Sequence, residues 1–205
     1  MKIAIIGTGN VGGALATKWA HAGHEIFLGV RDVSNFKGTD LLQNPTTSLH
    51  TIQEAVALSE VVLMATPAIT AIETTKSLGD TMGKVIIDAA NIVNGRGPRG
   101  FESVTEAIIA YTATDDVVKC FNTTGYNNMK DPAYGDQKLD MFVAGDSPHG
   151  KLVAIDLAHD AGFGACYDIG GNDKFDLMEQ FARFWINLAL NQGHGRDIGF
   201  KVLKR

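Results

Sequence analysis

The chain has 205 residues, 45% of them hydrophobic and 20% charged, with a formal net charge of -5. That length buries one good core, as a single domain or a domain with a small appendage, and excludes two large domains. The acidic balance, with basic residues scattered singly, argues against a nucleic-acid partner, and no apolar run reaches the length of a membrane span.

The first predicted element is the apolar strand Ile3-Ala4-Ile5-Ile6. No cleavable leader precedes it, so cytoplasmic residence is expected. The run breaks into Gly7-Thr8-Gly9-Asn10-Val11-Gly12. At this spacing the first glycine permits a tight turn, the second lets backbone approach a pyrophosphate, and the third lets a helix pack close to the strand. Amides at the helix start then face the phosphates. The pattern gains its force from its context. A helix is predicted over 10–22, with Val11, Leu15, Ala16 and Trp19 on one face, Gly23 ends it, and 25–30 reads as the second strand.

Arg31-Asp32 closes that strand about twenty residues beyond the glycine turn, where a fold of this kind selects its cofactor. Arg31 favours NADP, because a guanidinium matches the added phosphate at two points. Asp32 is the counter-signal for NAD, since a carboxylate there accepts from ribose hydroxyls. A short helix around 37–43 and a weak edge strand near 48–50 follow. Helix 52–58 leads to the buried strand Val61-Val62-Leu63-Met64-Ala65, which breaks at Thr66-Pro67. Helix 68–78 and strand 85–89 come next. Alternation of strand and helix predicts a doubly wound, mostly parallel α/β sheet of Rossmann type.

Ligands of such sheets lie beyond the carboxyl ends of the strands. Candidate cofactor-binding residues are therefore Gly7, Thr8, Gly9, Asn10, Val11, Gly12, Arg31, Ala65, Thr66, Pro67 and Asn91. The segment Asn94-Gly95-Arg96-Gly97-Pro98-Arg99-Gly100 reads as a flap whose two arginines meet anionic groups, or else as a solvated loop. Helix 102–111 precedes strand 117–121, and Asn122 and Thr123 at its end are further candidates, able to hold an amide or an acceptor ring by hydrogen bonds; a plain turn is the alternative. A polar crossing over 126–138 divides a dinucleotide-binding portion, 1–138, from a small C-terminal α/β extension, 139–205. That extension contains strand 141–144, a helix opening at Ser147-Pro148 and running to 161, strand 165–169 and a last helix over 172–191. Met178, Phe181, Trp185 and Leu188 share a face of that helix, which reads as core, with a homodimer surface or an acceptor wall as alternatives. His194 lies in a glycine-flanked turn and reads as solvated rather than as a proton donor. Cys120 and Cys166 sit in apolar runs and read as buried thiols; no metal-ligand spacing is present, and no metal is expected.

Taken together these residues resemble the coenzyme F420-dependent NADP oxidoreductase family, also called NADPH-dependent F420 reductases. The resemblance covers essentially the whole chain. It rests on Gly7-Thr8-Gly9-Asn10-Val11-Gly12, on Gly23-His24-Glu25 leading to Gly29-Val30-Arg31, on Ala65-Thr66-Pro67, and on Phe121-Asn122-Thr123-Thr124 with Met129 and Pro132. It implies that NADPH lies across the strand ends, that its nicotinamide stacks on a deazaflavin held partly by the C-terminal portion, and that hydride passes directly between the rings. Family members often carry a serine and an arginine after the second strand; here Val30 and Arg31 stand there, followed by Asp32, so one phosphate-binding hydroxyl is missing. Direct transfer between stacked rings asks for orientation and exclusion of water, so no catalytic acid or base is nominated. The expected activity is NADPH-dependent reduction of coenzyme F420 or a flavin-like acceptor. Reduction of another small acceptor, as in flavin-linked ferric reductases, and a non-catalytic NADPH-binding redox sensor are the alternatives.

Overall fold

In the computed structural model, which describes residues 1–205, the opening apolar run forms β1 (Lys2–Ile6), buried at every position except the first. There follow α1 (Asn10–His21), β2 (Glu25–Val30), β3 (Thr47–Thr51), α2 (Ile52–Leu58), β4 (Val61–Met64), α3 (Ala71–Lys76), β5 (Val85–Asp88), α4 (Val104–Tyr111) and β6 (Val117–Cys120). These six strands pair in parallel in the order β3-β2-β1-β4-β5-β6. Beyond β6 come α5 (Tyr126–Lys130), the hairpin β7 (Ala133–Tyr134) and β8 (Gln137–Lys138), then β9 (Met141–Ala144), α6 (Pro148–Asp160), β10 (Cys166–Asp168) and α7 (Phe175–Ile186). β9 joins β6 antiparallel and β10 joins β9 parallel, completing an eight-stranded sheet. The expected doubly wound, mostly parallel Rossmann-type sheet is therefore present.

Side chains alternate across the sheet, and each face is covered. Ile3 and Ile5 of β1 join Leu28, Leu63 and Ile87 in a cluster capped by Leu15 and Trp19 of α1 and Leu157 of α6. Ala4 and Ile6 join Val62, Met64 and Ile86 in a second cluster, under Ala55 of α2, Ala71 of α3 and Ile108 of α4. Trp19 satisfies its one polar group by donating from Nε1 to the Leu157 carbonyl at 2.8 Å. No helix is long and apolar enough to cross a membrane.

Several elements differ from the sequence expectation in instructive ways. The strand predicted to reach Phe121 stops at Cys120, because Phe121 adopts φ +62 and turns the chain out of the strand. Helix 68–78 divides into a 3-10 turn, Ala68–Thr70, and α3. The polar crossing 126–138 contains α5 and the β7–β8 hairpin, elements too short to display a hydrophobic period. The last helix begins with a 3-10 turn, Asn172–Lys174, and ends in a π turn, Asn187–Asn191. Within its stripe Met178 and Trp185 are buried, whereas Phe181 and Leu188 are half-buried. The chain then folds back: Phe200 stacks on Phe181 with centroids 4.6 Å apart, and the Val202 amide donates to Asp140 Oδ2 at 2.8 Å. Cys120 is a buried free thiol whose pKa burial pushes well up, while Cys166 is only half-buried.

Candidate functional site

The glycine loop crosses from β1 to α1 with almost no room for side chains at two of its three glycines. Gly7 has φ +102, and a Cβ there would stand 2.6 Å from the Ala65 carbonyl oxygen. At Gly12 a Cβ would lie 1.9 Å from the Gly7 oxygen. Gly9 is the opposite case, since a Cβ would meet nothing within 4 Å. Gly9 is also the N-cap of α1, and no side chain caps that helix start, nor does its first turn carry an acid. The first amides of α1, at the positive end of its dipole, therefore have no side-chain acceptor, and the space beside Gly9 at that end is open. Such an end receives a phosphate. Ala65, Thr66 and Pro67 follow β4 and border this loop, with the Ala65 amide donating to the Ile6 oxygen at 2.8 Å.

At the end of β2, Arg31 is exposed and makes no ion pair. Asp32 behaves differently from an acid that waits for ribose. Its Oδ1 accepts from the Ser34 amide at 3.0 Å and the Ser34 hydroxyl at 2.6 Å, capping the 3-10 turn Val33–Asn35. The Ser34 hydroxyl, helped by backbone amides, holds this carboxyl below its ordinary value. One oxygen of the acid next to Arg31 is thus held by the turn.

The third group lies beyond β5 and β6. Asn91 Nδ2 donates to the Asn122 carbonyl at 2.7 Å, and Asn122 Nδ2 returns a bond to Asn91 Oδ1 at 2.9 Å while also reaching the Met178 carbonyl at 3.2 Å. The two predicted residues are brought together as a reciprocal amide pair. Asn122 Oδ1 is buried without a donor. Thr123 is turned inward, its hydroxyl 3.6 Å from Met141 Sδ, so it supports the strand end from behind.

Beneath this pair lies a cluster that sequence reasoning missed. Lys119 Nζ, fully buried, is 2.9 Å from Asp88 Oδ2, 2.9 Å from Glu179 Oε1 and 2.9 Å from the Ala90 carbonyl. Asp88 also receives the Ala90 amide and the Thr105 hydroxyl, and Glu179 Oε2 receives the Ile92 amide at 2.9 Å. Burial alone would depress the lysine pKa; the two carboxylates more than offset it and raise the value. A signal was available. Asp88 and Lys119 interrupt apolar strands covered on both faces, where a charge survives only if paired.

Beside Asn91, residues Ile92, Val93, Asn94 and Gly95 face Arg183, Ile186 and Asn191 across a cleft of about 370 Å³. Arg96 and Arg99 of the flap are exposed and unpaired, and His194 is exposed in its turn. The arrangement offers free amides and a guanidinium for phosphates, an amide pair for a polar ring substituent, and a cleft with apolar walls next to it.

The fold is of Rossmann type, and the proteins this chain is similar to include NADP-dependent oxidoreductases. Its N-terminal segment, residues 2–92, matches the model of the family described as NADP oxidoreductase, coenzyme F420-dependent. Over 98% of its length the chain is 26% identical to the F420-dependent NADP reductase of Methanothermobacter thermautotrophicus, covering 94% of that protein. It is 30% identical to glycerol-3-phosphate dehydrogenase [NAD(P)+] of Thermoanaerobacter sp. over 58% of its own length, but spans only 39% of that enzyme. A crystal structure from Arthrobacter sp. FB24, provisionally described as an F420-dependent NADP-reductase, superposes with a TM-score of 0.83 at 28% identity, with complete coverage of both chains. A reductive aminase of Aspergillus terreus in complex with NADPH4, cyclohexanone and allyl amine gives a TM-score of 0.67 at 18% identity over 94% of this chain and 62% of that one; this likeness concerns the fold.

Proposed function

We propose that this protein transfers hydride between NADP(H) and a deazaflavin of the coenzyme F420 type or a flavin-like acceptor. The observation that carries the reading is the uncapped start of α1 over the open face of Gly9, with the unpaired Arg31 at the next strand end. The α1 amides take the pyrophosphate, and Arg31 takes the 2′-phosphate as a two-point donor. With its phosphates over β1 and its adenine end towards β2, the dinucleotide directs its nicotinamide half towards the ends of β4, β5 and β6. There Asn91 and Asn122 meet the ring carboxamide. The acceptor occupies the adjoining cleft, its ring against Ile92 and Ile186 and its anionic substituents near Arg183.

The chemical step moves one hydrogen nucleus with two electrons from C4 of the reduced nicotinamide to the acceptor ring, and solvent supplies any further proton the acceptor takes up. The protein holds two ring faces in contact and keeps water out, so proximity and orientation provide the rate enhancement. The two relatives described as F420-dependent NADP reductases support the choice of acceptor.

The test is NADPH oxidation followed at the nicotinamide absorbance with coenzyme F420, FMN, FAD and a ferric chelate in turn. Rapid oxidation with the deazaflavin or a flavin is expected. Turnover with the ferric chelate alone would move the assignment to another acceptor, and tight NADPH binding without oxidation by any of them would make the protein a sensor.

A further inference from the structure

We propose that Glu179 is a positioning residue for the nicotinamide end of the dinucleotide, acting from α7 through the Ile92 amide and buried Lys119 to fix the Asn91–Asn122 amide pair. This rests on the reading of the site as one for NADP(H).

The geometry closes around Asn91 from both sides. The Ala90 carbonyl is held by Lys119 Nζ and its amide by Asp88, while the Ile92 amide is held by Glu179 Oε2. Asn91 is thus clamped through the backbone of both neighbours, which leaves its side chain free to pair with Asn122. The preceding residue on the same turn of α7, Met178, holds Asn122 through its carbonyl. One turn of α7 therefore sets both amides.

Docking of α7 does not explain the cluster. Phe175, Met178, Ala182 and Trp185 already bury the inner face of the helix. Charges taken out of water seldom stabilise more than apolar residues of the same volume. Two carboxylates and one ammonium, none more than 2% exposed, are a poor way to glue a helix but a good way to fix backbone direction. The pair they orient contains Asn122 Oδ1, a buried acceptor with no donor in the protein. Small movement of that side chain towards an arriving carboxamide N–H would satisfy it, whereas an unclamped pair would not present it.

Glu179→Gln keeps the volume but has one acceptor for two donors: with its oxygen on the Ile92 amide it turns an N–H towards Lys119, and flipped it turns an N–H towards the Ile92 amide. Asn91→Ala removes the amide pair at a half-exposed position and leaves the buried cluster intact. Calorimetry with NADPH and with adenosine 2′,5′-bisphosphate, which lacks the nicotinamide half, separates the two ends of the site. Both variants are expected to bind NADPH about tenfold more weakly, the loss of roughly one good hydrogen bond, and to bind the bisphosphate within about twofold of the wild type. Equal weakening of both ligands, or unchanged NADPH binding by either variant, would overturn the proposal. Should Glu179→Gln fail to fold, Glu179→Asp, which keeps the charge but draws it back from the Ile92 amide, is read in the same way. A wild-type protein that bound neither ligand would refute the dinucleotide reading itself, and the proposal with it.

Discussion

Gly9 and Gly12 differ sharply in what surrounds their missing side chains, so a single added methyl should separate binding from folding. At Gly12 the methyl would stand 1.9 Å from a backbone oxygen of Gly7, deep inside van der Waals contact, and no flexible side chain is there to give way. α1 or the loop must shift, which places Gly12→Ala at the upper end of overpacking costs, about 3 kcal/mol. For a chain of this size that lowers the melting temperature by about 6–12 °C. At Gly9 the φ of -73 suits any residue and the added methyl meets nothing within 4 Å. Gly9→Ala should cost under about 1 kcal/mol, the difference between glycine and alanine at an N-cap. That methyl, however, projects into the space assigned to the pyrophosphate, and crowding of about 1.4–2.8 kcal/mol weakens NADPH about 10- to 100-fold. Thermal denaturation with and without NADPH, together with calorimetric titration, reads both effects. If Gly9→Ala bound NADPH as tightly as the wild type, the loop would not be the phosphate site.

Further outcomes follow from the other groups. Arg31→Ala should weaken NADPH about 10- to 100-fold, the worth of a charged hydrogen-bond pair, while NADH changes by less than about threefold; equal losses would remove Arg31 from the phosphate. Lys119→Met leaves Asp88 and Glu179 buried without their cation and should cost about 3–5 kcal/mol in denaturant unfolding at neutral pH. Burial works to raise the Asp168 pKa, but the bond and charge of Lys151 at 2.7 Å and the Gly170 amide outweigh it and lower the value. A depressed carboxylate stabilises the fold above its unfolded pKa of about 3.9 and loses that contribution as pH falls through the folded value. Asp168→Asn should therefore cost up to about 0.5 kcal/mol at pH 7, as expected of a half-exposed pair, and nothing near pH 2, measured by urea unfolding at both.

The parallel half of the sheet was legible because its strands are continuous apolar runs and its first turn has glycines at fixed offsets. The tight packing at Gly7 and Gly12 could be named from the sequence because it depends on local backbone, and Arg31 could be placed at the end of β2 by its distance from the turn. Asn91 and Asn122 were placed by the strand-end rule alone. Their reciprocal bonding depends on β5 lying next to β6, which spacing does not specify. The Asp88, Lys119 and Glu179 cluster was not read, since each is a single charge within an apolar segment and their partners are 31 and 60 residues apart or more. The short pieces α5, β7 and β8 escaped for another reason: two to five residues cannot express a period of 2 or 3.6.

The sheet reverses polarity where β9 meets β6, and this sorts the loops of the last third into two sets. Turns that precede β9 come out at the edge of the candidate site, where Met141 meets Thr123. Turns that leave β9 come out at the far edge, where Ser147 bonds Asp116 at the start of β6. Chain extensions or reporter groups inserted after Ala144 would hang from the underside of the molecule, a full strand length from the Asn91–Asn122 pair. Sequence drift there reshapes what the protein meets without touching the candidate site.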